Sequence, residues 1–292
     1  MLAVDDFRSS VMRQVSSVPS FGTSWNTFQH QIDSLIGPTP NANQIFDLGQ
    51  NISTIFLSNS KKGRSQSAVA SGGAAWECFI TWYLNLVFWG TDVIASRQNK
   101  KFIPQVLYDA FSVTISNQKT NTESDIVVYS IPNIKNITKL SLKDIDNLIR
   151  SNITLADTSV VQCKTNWNDN AQIPMLWDLI YNSTNFRLPN VSVGTAGVNP
   201  IAFKSFAYAY FTVPTNKNIQ KIKPKSTQVL RVANLTGGNY WGRPTTNGIA
   251  QSVNNYFGRN FANHFIGGVQ AHIASQITND PNYYSRFRTL NF

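Results

Sequence analysis

The chain has 292 residues, 42% of them hydrophobic and 14% charged, which gives enough apolar material for a folded core and excludes a disordered chain. Its 25 basic residues outnumber 15 acidic ones, and the net charge of +10 favours a polyanionic partner such as nucleic acid. Two cysteines exclude a disulfide framework, the longest apolar run (Trp82 to Trp89) is too short to cross a bilayer, and the first residues lack the pattern of a signal peptide, so we expect a cytoplasmic protein that enters no membrane.

The N-terminal part of the chain is predicted to be helical. Residues 1–58 show amphipathic patterning, interrupted at Gly37-Pro38-Thr39-Pro40, and should form a helical addition to the core. A loop of small and basic residues follows and carries Lys61, Lys62 and Arg64, a composition suited to contact with a phosphate backbone. The alternative for each of these side chains is an ordinary solvated charge.

A strongly apolar helix is predicted from about Ala74 to Trp89. Because most of its circumference is apolar, we expect it at the centre of the fold. Its only polar stripe consists of Glu77, Thr81 and Asn85, each four residues after the last. The stripe either directs Glu77 towards a functional site or marks a helix edge that faces solvent or a partner.

Two strands further along the chain are predicted to end in polar side chains. The first covers residues 125–130 and begins with Asp125, and the second covers residues 158–164 and ends in Gln162-Cys163-Lys164. Because side chains alternate along a strand, Gln162 and Lys164 should point to one face and Cys163 to the other. The segment between the two strands is long enough for an excursion that returns the chain to the first strand.

The remaining pattern completes an α/β fold. Additional strands are predicted over residues 111–116 and 203–213, and helices over 140–151 (with Ser141 as N-cap), 172–181 and, as a pair, 247–276. Strands and helices mix without strict alternation, which predicts a mixed central β-sheet flanked by helices, with helical N- and C-terminal additions.

The polar ends of the two strands suit metal-assisted hydrolysis of a phosphodiester. Mg²⁺ prefers oxygen ligands and keeps several of its waters. Asp125 can supply a carboxylate, Gln162 an amide oxygen, and Cys163 its backbone carbonyl, while Lys164 can orient an attacking water and hold the phosphate. The alternative is an ordinary strand end with solvated polar residues.

Asp125 followed by Gln162-x-Lys164 resembles the PD-(D/E)xK nuclease superfamily, in the variant in which glutamine replaces the second acid, as in some type II restriction endonucleases. The tract from Val160 to Asp169 is similar to the active-site strand and following loop of such an enzyme. The helix beginning at Ala74 is similar to one that often precedes the catalytic acid and carries a glutamate, here Glu77.

The sequence departs from that family in two ways. Ser124 stands where proline is usual, and Gln162 removes a negative charge from the metal site. A neutral ligand weakens Mg²⁺ binding unless another acid helps, and Glu77 and Asp169 are the candidates for that help.

The resemblance implies a Mg²⁺-dependent type II restriction endonuclease that cleaves a short, specific double-stranded DNA sequence, often as a homodimer. Residues 74–213 would form a restriction-endonuclease-like catalytic core within a single nuclease domain of residues 1–292, and residues 214–292 a C-terminal helical segment that contacts DNA. No phosphate-binding glycine loop opens a helix, so no nucleotide cofactor is expected.

Candidate base-reading or phosphate-binding side chains lie in two polar turns. Asn166, Asn168 and Asp169 follow the second strand, and Asn239 and Arg243 lie in a turn punctuated by glycine. Amide and arginine side chains read adenine and guanine edges, although polar turns anchored by aromatic residues are equally common.

The alternative function is a non-catalytic basic nucleic-acid-binding protein, and a third, weaker one is a structural protein with a basic inner face.

Overall fold

The structure is a computed structural model, and most of the chain is described by it. The described residues are 3–59, 66–121, 124–134, 137–165, 187–188, 190–213, 223–226, 229–230, 237–242, 245 and 248–292. No helix within these ranges is long and apolar enough to cross a membrane.

The described part of the chain contains ten α-helices and nine β-strands, numbered here in chain order. The helices are α1 (Ala3–Ser16), α2 (Pro19–Ile36), α3 (Ala42–Asp47), α4 (Ile52–Ser58), α5 (Gln66–Phe88), α6 (Gln105–Ala110), α7 (Leu142–Ser151), α8 (Asn255–Asn260), α9 (Val269–Asn279) and α10 (Tyr283–Thr289). The strands are β1 (Val93–Arg97), β2 (Ser112–Ile115), β3 (Gln118–Asn121), β4 (Ile126–Ser130), β5 (Asp157–Lys164), β6 (Arg187–Leu188), β7 (Val191–Val193), β8 (Ser205–Thr212) and β9 (Gly238–Tyr240).

The strands form two sheets. The central sheet has the order β1-β4-β5-β8-β9, in which β1, β4 and β5 are antiparallel neighbours and β8 and β9 continue parallel to β5. A smaller antiparallel sheet has the order β3-β2-β7-β6. The predicted α/β class with a mixed central sheet is therefore confirmed, and helices α1 to α4 agree with the helical pattern of residues 1–58.

Helices cover both faces of the central sheet. On one face Val161 and Cys163 of β5 join a core formed mainly by α2, α5 and the C-terminal helices. On the other face Val160 and Tyr208 join a core with α6 and α7. Strand β5 is buried from Asp157 to Cys163 although four of these seven residues are polar, and the side chains of Asp157 and Gln162 have hydrogen-bond partners inside the protein.

Helix α5 lies at the centre of the larger core, as its sequence predicts. The indole N–H of Trp76 donates to the carbonyl of Phe211 at 3.2 Å, and that of Trp82 donates to the carbonyl of Phe287 at 2.9 Å. Both indoles are fully buried, so these bonds satisfy donors that would otherwise be costly to bury. They also tie α5 to strand β8 and to the C-terminal helix α10.

The polar stripe of α5 faces strand β1. The Asn85 amide donates to the carbonyl of Ala95 at 2.7 Å and accepts from its N–H at 3.2 Å. Asn85 therefore pairs with the backbone of β1 much as a neighbouring strand would. The stripe was predicted to face a functional site, solvent or a partner. At Asn85 it does none of these, and instead binds the edge strand β1 to helix α5.

Two features of this region differ from the sequence prediction. Helix α5 begins at Gln66, eight residues before the predicted start, and runs through Gly72 and Gly73. A glycine inside a helix costs about 1 kcal/mol and does not by itself end the helix. Strand β1 was not predicted, because it is short and its first four residues are all buried, so it lacks the alternation that marks a half-exposed strand.

Candidate active site

Asp125 lies immediately before β4, at the point where the ladder between β4 and β5 ends. Its N–H donates to the carbonyl of Val161 at 3.0 Å, and its carbonyl accepts from the N–H of Gln98 at 3.0 Å. Its carboxylate Oδ2 accepts from the N–H of Cys163 at 2.7 Å. In a continued ladder, a backbone carbonyl of β4 would accept this hydrogen bond. The Asp125 carboxylate takes its place and is thereby held against the edge of β5.

The backbone carbonyl of Cys163 is directed to the same edge. In a strand, the N–H and C=O of one residue point to the same neighbour. The N–H of Cys163 bonds to the Asp125 carboxylate, whereas the adjacent carbonyl of Lys164 points to the opposite side and accepts from Val213 at 3.2 Å. A carboxylate and a backbone carbonyl therefore converge beyond the start of β4.

This pair of oxygens fits a hard cation that keeps most of its own water. One carboxylate, one carbonyl and several waters form an oxygen-only set of the kind that Mg²⁺ accepts. Within the described ranges, no three His, Cys, Asp or Glu side chains are close enough to hold a metal ion. A site at Asp125 would accordingly depend on the Cys163 carbonyl and on water rather than on a ring of acids.

Gln162 lies on the face of β5 opposite Cys163, as the alternation predicts. Its side chain is buried, and its Oε1 accepts a hydrogen bond from the Tyr208 hydroxyl at 3.3 Å. An amide oxygen has two lone pairs, so this bond leaves one acceptor position. Metal ligation by Gln162 stays a prediction, and it requires Oε1 to be shared with Tyr208 or released from it.

Glu77 reaches the Asp125 end of the sheet from α5. Its Oε2 accepts from Arg97 Nη2 at 2.6 Å and from Nε at 3.1 Å. The two side chains are 21% and 20% exposed. Arg97 is the last residue of β1 and pairs with Ile126, so the ion pair stands beside Asp125.

Sequence reasoning missed Arg97 because it missed β1. The pattern that could have identified β1 is an apolar run with polar residues at its end, as in the other two strands. Here Ser96 and Arg97 follow the apolar run Val93-Ile94-Ala95. All three of these strands have a charged or polar residue at the same end of the sheet.

These groups surround one cleft of about 350 Å³, here called the Asp125 cleft. It lies between α1, α5, the end of β1 and the start of β4. Its volume leaves room for a phosphate group with water. The lining residues are Gln14, Glu77, Arg97, Gln98, Asn99, Ser124 and Asp125.

The pKa of the Cys163 thiol reflects its burial and four charged side chains. Burial raises the pKa of this thiol well above its usual value, and the negative charges of Asp125 and Glu77 raise it further, while Arg97 and Lys164 oppose the shift. The thiol therefore stays protonated and uncharged near neutral pH. Of the described residues, Gln162 and Lys164 are not among those that line the Asp125 cleft.

The other end of the central sheet carries a second charged group, here called the His264 cluster. Nδ1 of His264 lies 2.6 Å from Asp92 Oδ1, and its Nε2 lies 2.9 Å from Asp157 Oδ2. The Lys204 ammonium also donates to Asp157 Oδ2 at 2.8 Å, and the Ser205 hydroxyl donates to Oδ1 at 2.6 Å. No local sequence pattern marks this cluster, because the partners of His264 are more than 100 residues away.

Of the eight residues predicted to contact DNA, only Asn239 lies within the described ranges. Asn239, on β9, is only 6% exposed, and its Nδ2 donates to the carbonyl of Ile249 at 3.2 Å. In this position the amide stabilises its own turn, and a base edge cannot reach it unless the turn moves. Seven other predicted residues lie outside the described ranges, as does the helix predicted over 172–181. They are Lys61, Lys62, Arg64, Asn166, Asn168, Asp169 and Arg243.

Comparison with known proteins adds no family assignment. No protein-family model matches the sequence, and a search of curated proteins finds no significant match. The geometry of the Asp125 cleft and the strand-end motif are therefore the basis for a function.

Proposed function

We propose that this protein is a Mg²⁺-dependent type II restriction endonuclease that hydrolyses phosphodiester bonds within a short, specific double-stranded DNA sequence. The observation that carries the proposal is the hydrogen bond from Cys163 N–H to the Asp125 carboxylate, which brings an acid and a backbone carbonyl together at the end of two paired strands. The mixed central sheet flanked by helices is the architecture that the motif resemblance implies. The net charge of +10 suits a DNA partner.

The proposed site residues at this end of the central sheet have three roles. Asp125 and the carbonyl of Cys163 would hold Mg²⁺, with Gln162 as a further ligand if its Oε1 is shared with Tyr208. When bound, Mg²⁺ would neutralise the negative charge that develops on the phosphate. Lys164 would orient the attacking water and stabilise the same developing charge through its ammonium group.

Arg97 and Glu77 support this arrangement from the α5 side. Arg97 lines the Asp125 cleft and can donate to a phosphate oxygen, since guanidinium groups bind phosphate through two parallel N–H bonds. Glu77 accepts from Arg97 and so limits the orientations of the guanidinium. The charge that Gln162 lacks would be supplied in part by Glu77.

The proposal has two further parts, a homodimer that follows from the resemblance and a cellular location that follows from the sequence. A homodimer would match a palindromic DNA site, because each protomer would place one Asp125 cleft on one strand. We also propose that the protein acts in the cytoplasm.

The alternative is a non-catalytic basic protein that binds nucleic acid. The observation in its favour is that Gln162 and Glu77 already have partners within the protein, Tyr208 and Arg97. A binding protein does not need side chains that are available to bind Mg²⁺ at this site. The two functions therefore differ in whether Mg²⁺ produces cleavage of DNA.

Digestion of a long mixed-sequence duplex DNA tests the proposal. The wild-type protein is incubated with and without Mg²⁺ beside Lys164→Ala and a matched control, Lys143→Ala, which removes an exposed lysine from α7. We expect discrete fragments that require Mg²⁺, that are lost in Lys164→Ala and that persist in the control. DNA that is retarded on the gel but stays intact with all three proteins would instead establish a binding protein.

A further inference from the structure

A polar hairpin has its root next to the Asp125 cleft. Strands β2 and β3 pair from Ser112↔Asn121 to Ile115↔Gln118, and a two-residue loop, Ser116-Asn117, joins them. Ser116 has a φ of 55°, which a tight hairpin loop requires, and its N–H donates to the carbonyl of Asn190 at 2.7 Å. The loop is therefore a defined structure tied to the chain next to β7.

The hairpin is buried at its root and exposed at its tip. Ser112 and Val113 are buried, whereas the five residues from Ile115 to Lys119 are all exposed. Four of the five are polar, and Asn117 and Gln118 carry amide side chains that both donate and accept hydrogen bonds. Strand β3 is also the edge of its sheet, so no described strand covers its outer side. The tip is thus a polar surface with two exposed amide groups at its end.

The root of the hairpin is adjacent to the candidate active site. Ser112 lines a small cavity together with Ser124 and Gln98, and these last two also line the Asp125 cleft. Four residues of extended chain separate Ser112 from Ser116, which corresponds to about 14 Å. The major groove of B-DNA is about 8.5 Å deep and 12 Å wide and accepts a two-stranded β-ribbon. A duplex with a phosphate at Asp125 would therefore lie within reach of the tip.

We infer that the β2–β3 hairpin is the base-reading element of this protein and enters the major groove of duplex DNA. The inference rests on the proposed function for the position of the phosphate. Asn117 and Gln118 face base edges, where amides form paired hydrogen bonds with adenine. Lys119 lies to the side, since its Nζ is 3.4 Å from Thr195 Oγ1, and it contacts a phosphate.

The test measures sequence preference by binding, independently of cleavage. Duplexes are selected from a random pool without Mg²⁺ by wild-type protein, by the double variant Asn117→Ala/Gln118→Ala, by Lys119→Ala and by the control Asn147→Ala, which removes an exposed amide from α7. Affinities for the selected duplex and for a scrambled duplex follow by fluorescence anisotropy at several salt concentrations. Because all substituted side chains are exposed, circular dichroism should show unchanged folding.

We expect the double variant to lose roughly 10- to 100-fold in affinity for the selected duplex and nothing for the scrambled one. Lys119→Ala should weaken binding to both duplexes equally, and it should lower the slope of log affinity against log salt concentration by about one. An unchanged preference in the double variant would overturn the inference and leave the nuclease proposal intact. Loss of preference in a protein that never cleaves DNA would support the hairpin and refute the nuclease. A wild-type protein without any sequence preference would refute the hairpin as a reader.

Discussion

The His264 cluster makes the stability of the protein depend on pH in a defined direction. Burial disfavours the charged imidazole, but hydrogen bonds to Asp157 and Asp92 outweigh this effect and raise the pKa of His264 from 6.5 to about 9. A group whose pKa is higher in the folded state stabilises that state most at low pH. Its contribution is complete below about pH 6.5 and is lost as the pH rises through about 9.

The size of the effect follows from the shift. Each pKa unit corresponds to about 1.4 kcal/mol, so the shift of His264 is worth about 3.5 kcal/mol at most. Asp92 is 30% exposed, and solvent weakens its share, so we expect about 2 to 3 kcal/mol. Against the opposing effect of burial, hydrogen bonds from His264, Lys204 and Ser205 lower the pKa of Asp157 to about 2. The His264 part of this shift describes the same interaction and is not added.

The perturbation that tests this is His264→Gln, because glutamine keeps a hydrogen-bonding side chain but cannot titrate. Urea unfolding of both proteins at intervals from pH 6 to 9.5 gives the difference in the free energy of unfolding, in which other titrating groups cancel. We expect a difference of about 2 to 3 kcal/mol at pH 6 that shrinks towards zero above pH 9. A difference that stays constant across this range would refute the reasoning.

Three further substitutions have expected outcomes. Asp125→Asn keeps an acceptor for the Cys163 N–H, so the protein should fold and bind DNA in gel-shift assays but lose Mg²⁺-dependent cleavage. Asn85→Ala leaves the backbone N–H and C=O of Ala95 unpaired in the core, which should lower the free energy of unfolding by about 2 to 4 kcal/mol in urea, and a loss below 0.5 kcal/mol would contradict the pairing. Ser141→Ala removes the N-cap of α7 and should cost about 1 kcal/mol by the same measurement, whereas Ser141→Asp should cost little.

Local features of the sequence predicted the elements well. Ser141 was identified as an N-cap, and its hydroxyl accepts from the N–H of Asp144 in a complete capping box. The alternation around Gln162 and Cys163 was also correct, because burial on each face of β5 follows directly from the two-residue period.

Contacts between distant elements could not be predicted in the same way. Arg97 pairs with Glu77 only because β1 runs alongside α5, and no local pattern marks that packing. His264 meets Asp157 across 107 residues of sequence, and the parallel pairing of β5 with β8 joins residues 48 apart. Such pairings depend on strand order, which local periodicity does not contain.

The two ends of the central sheet differ in how their charges are used. At the His264 cluster, both ring nitrogens and both oxygens of Asp157 are engaged inside the protein, so the cluster contributes to stability. At the Asp125 end, two carboxylates and a guanidinium line an open cleft. Functional sites are commonly not optimised for stability, so Asp125→Asn should leave the free energy of unfolding unchanged or raise it, whereas His264→Gln lowers it near neutral pH. If both substitutions destabilised the protein equally, the Asp125 carboxylate would be a structural group like those of the His264 cluster, and the case for a metal site at this strand end would fail.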